Sequence, residues 1–99
     1  MTQRYKLIIE YNGTDFVGWQ RQENGLSIQQ VLEEAAAGYC QKKITVNGAG
    51  RTDSGVHALG QVAHVDLPRT DNCEKVRDAF NAYLRPYRVV VVAVEKVHP

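Results

Sequence analysis

The chain has 99 residues, 43% of them hydrophobic, which suits one small domain with one core and leaves little room for a deep, enclosed site. Its 12 basic and 11 acidic residues leave a formal charge of +1, so a nucleic-acid surface would have to come from clustering rather than bulk charge. No hydrophobic run is long enough to span a bilayer and the N-terminus lacks a signal-peptide core; two cysteines, Cys40 and Cys73, are too few for a disulfide framework and lack zinc-site spacing, so free thiols in a reducing cytoplasm are expected.

In chain order, residues 4–11 (RYKLIIEY) are β-branched and aromatic enough for a strand, which Asn12-Gly13 stops. Ser27-Ile28-Gln29-Gln30 has the form of a capping box, and Ile28, Val31, Leu32, Ala35, Ala36 and Tyr39 follow at helical spacing. Lys42 and Lys43 are expected to close that helix, where cations suit the negative end of its dipole. Residues 44–46 read as a short strand running into a glycine-rich loop, and 61–66 alternate as the next strand. Asp71-x-x-Glu74 is expected to cap a second helix that places Val76, Ala79, Phe80, Tyr83 and Leu84 on one face. Pro86 should end it by pushing Arg85 out of helical geometry, and 89–97 form the last strand.

The order β-α-β-β-α-β is the split βαβ pattern, an α+β ferredoxin-like fold with two helices on one face of a four-stranded antiparallel sheet. The last strand strains that picture, because Val89 to Val94 is apolar on both faces. We therefore expect the second face to be covered by something else, the chain being part of a longer protein or of an oligomer.

The glycine-rich loop is the candidate site. Glycines stand at 48, 50, 55 and 60 around Arg51-Thr52-Asp53. An Asp followed by Ser54-Gly55 is ordinarily a turn residue bonding its own backbone. Against that, Arg51 and Asp53 are two apart and would share one side of an extended segment. A guanidinium there favours the ionised carboxylate, available as nucleophile or base. The glycines would let a ligand approach the backbone closely.

Gly50-Arg51-Thr52-Asp53-Ser54-Gly55-Val56-His57-Ala58 closely resembles the active-site motif of the TruA-type tRNA pseudouridine synthases. Tyr11-Asn12-Gly13-Thr14, Phe16-Val17-Gly18-Trp19-Gln20-Arg21-Gln22, Ser27-Ile28-Gln29 and Gly60-Gln61-Val62-Ala63-His64 resemble the same family in the same order. Beyond Leu67 the similarity is mainly one of element order. This resemblance implies isomerisation of uridine to pseudouridine in the anticodon stem-loop of tRNA by a cytoplasmic homodimer, with no metal or organic cofactor and no membrane. It implies that Asp53 is the catalytic aspartate, attacking the sugar or removing a sugar proton as the base departs. Arg51 is suited to pair with Asp53 and to fill the space of a flipped base. Thr52, His57, Gln20 and Arg21 are the remaining candidates for substrate binding or catalytic support.

Two positions depart from the family's usual pattern, Ser54 for Ala and Asn12 for Asp, the second removing one negative charge. The resemblance further implies that residues 1–99 form the N-terminal half of the catalytic fold. A C-terminal half would complete the sheet and supply an active-site tyrosine and a further basic residue, so this chain alone should fold but turn over little or not at all.

Other constellations are weaker. Ser54, His57 and Asp53 lie within five positions, and nothing aims Ser54 as a nucleophile, so a catalytic triad is rejected. His64 and Asp66 share a strand face without an evident third metal ligand. Arg4, Lys6, Arg69, Arg85 and Arg88 could track phosphates but are scattered. The rival reading is a non-catalytic ferredoxin-like RNA-binding or oligomerisation module, in which Arg51 and Asp53 would form a structural salt bridge. The usual RNA-binding form needs base-stacking aromatics on a central strand, and 61–66 has none.

Overall fold

A computed structural model describes residues 2–21, 23, 25–48 and 58–99; at 15 and 58–60 the description is of the backbone. Strand β1 (Gln3–Tyr11) leads through a 3₁₀ turn (Gly13–Asp15) to helix α1 (Ile28–Cys40). Strands β2 (Val46–Gly48) and β3 (Ala58–Leu67), helix α2 (Cys73–Leu84) and strand β4 (Val89–Val97) follow. The sheet has the order β2-β3-β1-β4 with every pairing antiparallel, the arrangement expected of the split βαβ pattern.

The alternation in β1 decides which face is inside. Tyr5, Leu7, Ile9 and Tyr11 are buried, while Arg4, Lys6, Ile8 and Glu10 between them lie on the opposite face. Helix α1 contributes Ile28, Val31, Leu32, Ala35 and Ala36 to the core, and α2 contributes Val76, Phe80 and Leu84. Each fully buried side chain of this size stabilises the fold by roughly 1.5–3 kcal/mol, before the entropy of ordering it is charged.

The second face answers the question raised by the valine run. Val89 and Val91 are buried, whereas Val90 and Val92 are 42% and 39% exposed. A register shift between Ile8 and Ile9 inserts Val92 as an extra residue opposite β1, so Val91 and Ala93 are its successive Cα partners. Among the described residues, one face of the Val89–Val92 run is covered and the other is exposed. Two ion pairs occupy the far end of the open face: Arg4 is bidentate on Asp66 at 2.8 and 3.0 Å, and Lys6 lies 3.5 Å from Glu95.

Both edge strands have backbone groups taken up by helix side chains. Asn81 of α2 donates to Val91 O at 2.9 Å and accepts from Val91 N at 2.8 Å. On the other edge, Gln29 of α1 donates to Val46 O at 2.9 Å, and Glu33 accepts from Val46 N at 3.0 Å. These bonds satisfy edge groups that would otherwise invite another strand.

Five local expectations are corrected in whole or in part. The N-cap of α2 is Asn72, whose side chain accepts from Lys75 N at 2.8 Å, not Asp71. The Asp71 carboxylate is already engaged by Tyr39, Arg69 and Lys75, and its backbone bonds Tyr5. Helix α1 ends at Cys40 on a left-handed Gln41 (φ 57°), so Lys42 and Lys43 lie beyond it. Strand β2 is 46–48 rather than 44–46, because Val46 is where pairing with β3 and the α1 side-chain bonds begin. Arg85 keeps right-handed helical angles (φ −50°, ψ −39°). The helix stops because Pro86 has no N–H to continue it, and Tyr87 N closes the turn on Leu84 O at 2.9 Å. Ser27 does cap α1, accepting from Gln30 N, but the Gln30 amide donates to Glu34 instead of completing the box.

Candidate active site

Asp53, Arg51, Thr52 and His57 lie outside the described residues, as does Ser54. The structure describes the two stems on which that segment hangs, Gly48 at the end of β2 and Ala58 at the start of β3, together with Gln20 and Arg21. In the sequence Asp53 stands midway between the stems.

The segment carrying Gln20 and Arg21 is fixed to the start of α1. The first amides of that helix have no intrahelical acceptor. Ile28 N donates to Gly18 O at 3.1 Å and Gln29 N to Trp19 O at 2.9 Å. Gly18 sits at φ 118°, a conformation that L side chains rarely adopt, which explains glycine there. Arg21 N then donates to the Gln29 side chain at 2.9 Å.

The Arg21 guanidinium reaches Glu33 Oε1 through Nε (3.1 Å) and Nη2 (2.8 Å), and its side chain is 49% exposed. Glu33 Oε2 holds Val46 N, so one carboxylate joins the Arg21 segment to the strand that leads into the motif. Gln20 is exposed and Arg21 is half exposed beside it. Gln29 stood out in the sequence only as part of the Ser27-Ile28-Gln29 stretch, and Glu33 not at all beyond its helix position.

Two aromatics stand beneath the stems. Trp19 is 3% exposed and Tyr11 5%, their ring centroids 6.4 Å apart and tilted by 38°. Tyr11 is the register partner of Ala58. A Cβ placed on Gly48 would fall 2.6 Å from Cε2 and Nε1 of Trp19 and 2.8 Å from Cζ2, so only glycine lets strand and indole approach this closely. A groove lined by Tyr11, Asn12, Tyr87, Arg88 and Val90, among others, opens at the same end of the sheet. Asn12 makes the turn expected of it, its side chain accepting from Thr14 N at 2.9 Å.

The other candidates are engaged elsewhere. Arg4, Lys6 and Arg69 pair with Asp66, Glu95 and Asp71. Asp66, one half of the His64–Asp66 pair, has its carboxyl held below the usual carboxylate range by its hydrogen bond from Arg4. Cys40 and Cys73 are free thiols, and burial pushes the Cys40 thiol up. Among the described residues no three His, Cys, Asp or Glu side chains gather as a metal site, and no helix is long and apolar enough to cross a membrane.

Residues 7–99 match the sequence profile of the tRNA pseudouridine synthase family. The chain belongs to that family. It is similar to the tRNA pseudouridine synthase A of Parvibaculum lavamentivorans, at 57% identity over 94 residues covering 95% of this chain and 38% of that protein. The enzyme of the same name from Afipia carboxidovorans is 56% identical over the same shares of the two chains. That of Rhodospirillum centenum is 56% identical over 97 residues, 98% of this chain and 40% of its own length. The chain thus spans about two-fifths of the pseudouridine synthases it matches. The family match includes the whole Gly50–Ala58 motif together with the described segment that precedes α1.

Proposed function

We propose that this chain is the N-terminal, ferredoxin-like half of an enzyme that isomerises uridine to pseudouridine in the anticodon stem-loop of tRNA, with Asp53 as its catalytic aspartate. The observation that carries the reading is the family match over 7–99, which includes Arg51-Thr52-Asp53 in sequence context. In the reaction the N-glycosidic bond breaks, the uracil turns, and a carbon–carbon bond rejoins base and ribose. No atom is gained or lost, so a positioned carboxylate is the main chemical requirement. Asp53 meets it by attacking the sugar or by taking a sugar proton.

Arg51 keeps Asp53 ionised and fills the space of the flipped base, whose extrusion costs roughly a few kcal/mol. Thr52 and His57 line the same motif, while Gln20 and Arg21 meet the RNA beside it. The exposed Val90 and Val92 suit a sheet face that further protein covers, in keeping with a second half and a homodimer. The enzyme works in the cytoplasm, where its tRNA substrate is.

The test is Asp53→Asn in the full-length protein, assayed for pseudouridine in tRNA. Loss of turnover with tRNA binding retained is expected; full activity would overturn the reading. The 99-residue chain alone should show little or no turnover, and a rate near that of the intact protein would refute the half-site view.

A further inference from the structure

One stem of the motif lies against an aromatic ring, and the other pairs in register with that ring's aromatic neighbour. Strand β2 is three residues long and, among the described residues, pairs with β3 alone, so other contacts share in holding it. Its first residue, Val46, is pinned at N–H and C=O by Glu33 and Gln29. Its last residue, Gly48, lies against the Trp19 indole, closer than any side chain at position 48 would allow. Trp19 in turn packs beside Tyr11, whose register partner Ala58 begins the other stem. The Trp19 carbonyl accepts from Gln29 N, so the backbone that carries the indole is held by the residue whose side chain also holds Val46.

From this geometry we infer that Trp19 is a positioning residue for the reaction. It fixes the direction in which β2 delivers the chain toward Asp53, acting through the Gly48 backbone and not by touching the substrate. The inference rests on the proposed role of Asp53. A reactive group displaced by about 1 Å loses on the order of 100-fold in rate, which is the leverage a stem-setting contact has.

The experiment uses the full-length protein with a tRNA transcript, reading kcat from pseudouridine formation and affinity from filter binding. Trp19→Leu and Gly48→Ala are each expected to lower kcat roughly 10- to 100-fold while tRNA affinity stays within about 2-fold. The double variant Gly48→Ala/Trp19→Phe, whose smaller ring makes room for the new methyl, should turn over faster than Gly48→Ala alone. Wild-type kcat in both single variants, a loss confined to affinity, or a double variant no faster than Gly48→Ala overturns the proposal. Thermal melting accompanies each variant; should Gly48→Ala melt below the assay temperature, the kcat-against-affinity split of Trp19→Leu decides. Asp53→Asn is measured in parallel. If it abolishes turnover while the Trp19 and Gly48 variants do not, only the positioning role fails; if it leaves turnover intact, the role of Asp53 itself has failed.

Discussion

The carboxylate of Glu33 accepts the backbone N–H of Val46 at 3.0 Å, and through its other oxygen holds the guanidinium of Arg21. One half-buried side chain therefore secures an edge strand and a loop that are far apart in sequence.

Glu33→Ala removes both bonds and leaves the Val46 amide without this acceptor, a cost of about 1–3 kcal/mol. Glu33→Gln retains an acceptor for Val46 and loses the charge, so its cost should be clearly smaller. Urea denaturation of the 99-residue chain measures both. Equal losses in the two variants would place the stabilisation in the ion pair with Arg21 rather than in the strand bond.

Tyr5 is wholly buried, and its hydroxyl donates to Asp71 O at 2.8 Å while accepting from Asp71 N at 2.9 Å. Tyr5→Phe leaves both backbone groups without that partner at the entrance to α2. A destabilisation of about 1–3 kcal/mol is expected from the denaturation midpoint at unchanged slope.

The Asp71 carboxylate gathers Tyr39, Arg69 and Lys75, with the Arg69 guanidinium also 4.6 Å from the centre of the Tyr39 ring. The hydrogen bond from Tyr39, then those from Arg69 and Lys75, hold the Asp71 carboxyl below the usual range. Burial, then the hydrogen bond to Asp71, raises the Tyr39 phenol. Because the folded pKa of Asp71 is the lower one, its contribution is present above the unfolded value near 4. It is lost as pH falls through the folded value. Asp71→Asn should lower stability at pH 7 and flatten the acid limb of a stability profile taken from pH 7 to pH 2. An unchanged acid limb would show that Asp71 does not carry it.

Val91 is 1% exposed and Val92 39%, neighbours on a strand whose first six residues are all apolar. In the isolated chain Val91→Ala should cost about 1.5–3 kcal/mol, and Val92→Ala should stay within about 0.5 kcal/mol of wild type. In the full-length protein a larger cost for Val92→Ala is expected if further protein covers that face.

Much of this molecule is legible along the chain. β-branched and aromatic content located β1, period-two alternation located the inner part of β3, apolar residues at helical spacing marked α1 and α2, and Ser27 marked the first helix start. Local signals erred where a side chain had a better partner at a distance. Asp71 looks like a cap, but Tyr39, Arg69 and Lys75 take its carboxylate, and Asn72 caps instead. The motif around Asp53 was legible only as a motif, since its meaning rests on family likeness and its residues lie outside those described.

The sequence alone determined the order of elements, the apolar stripe of α1, and the family, because hydrophobic period and motif are properties of neighbouring residues. Tertiary structure decided what lies between neighbours in space. It put Trp19 against Gly48, Glu33 on Val46, Asn81 on Val91, and Val92 at a bulge on the open face of the sheet. Those contacts depend on how a three-residue edge strand and a loop meet the first turn of a helix. No local periodicity encodes that meeting, because each partner's pattern is equally satisfied without it.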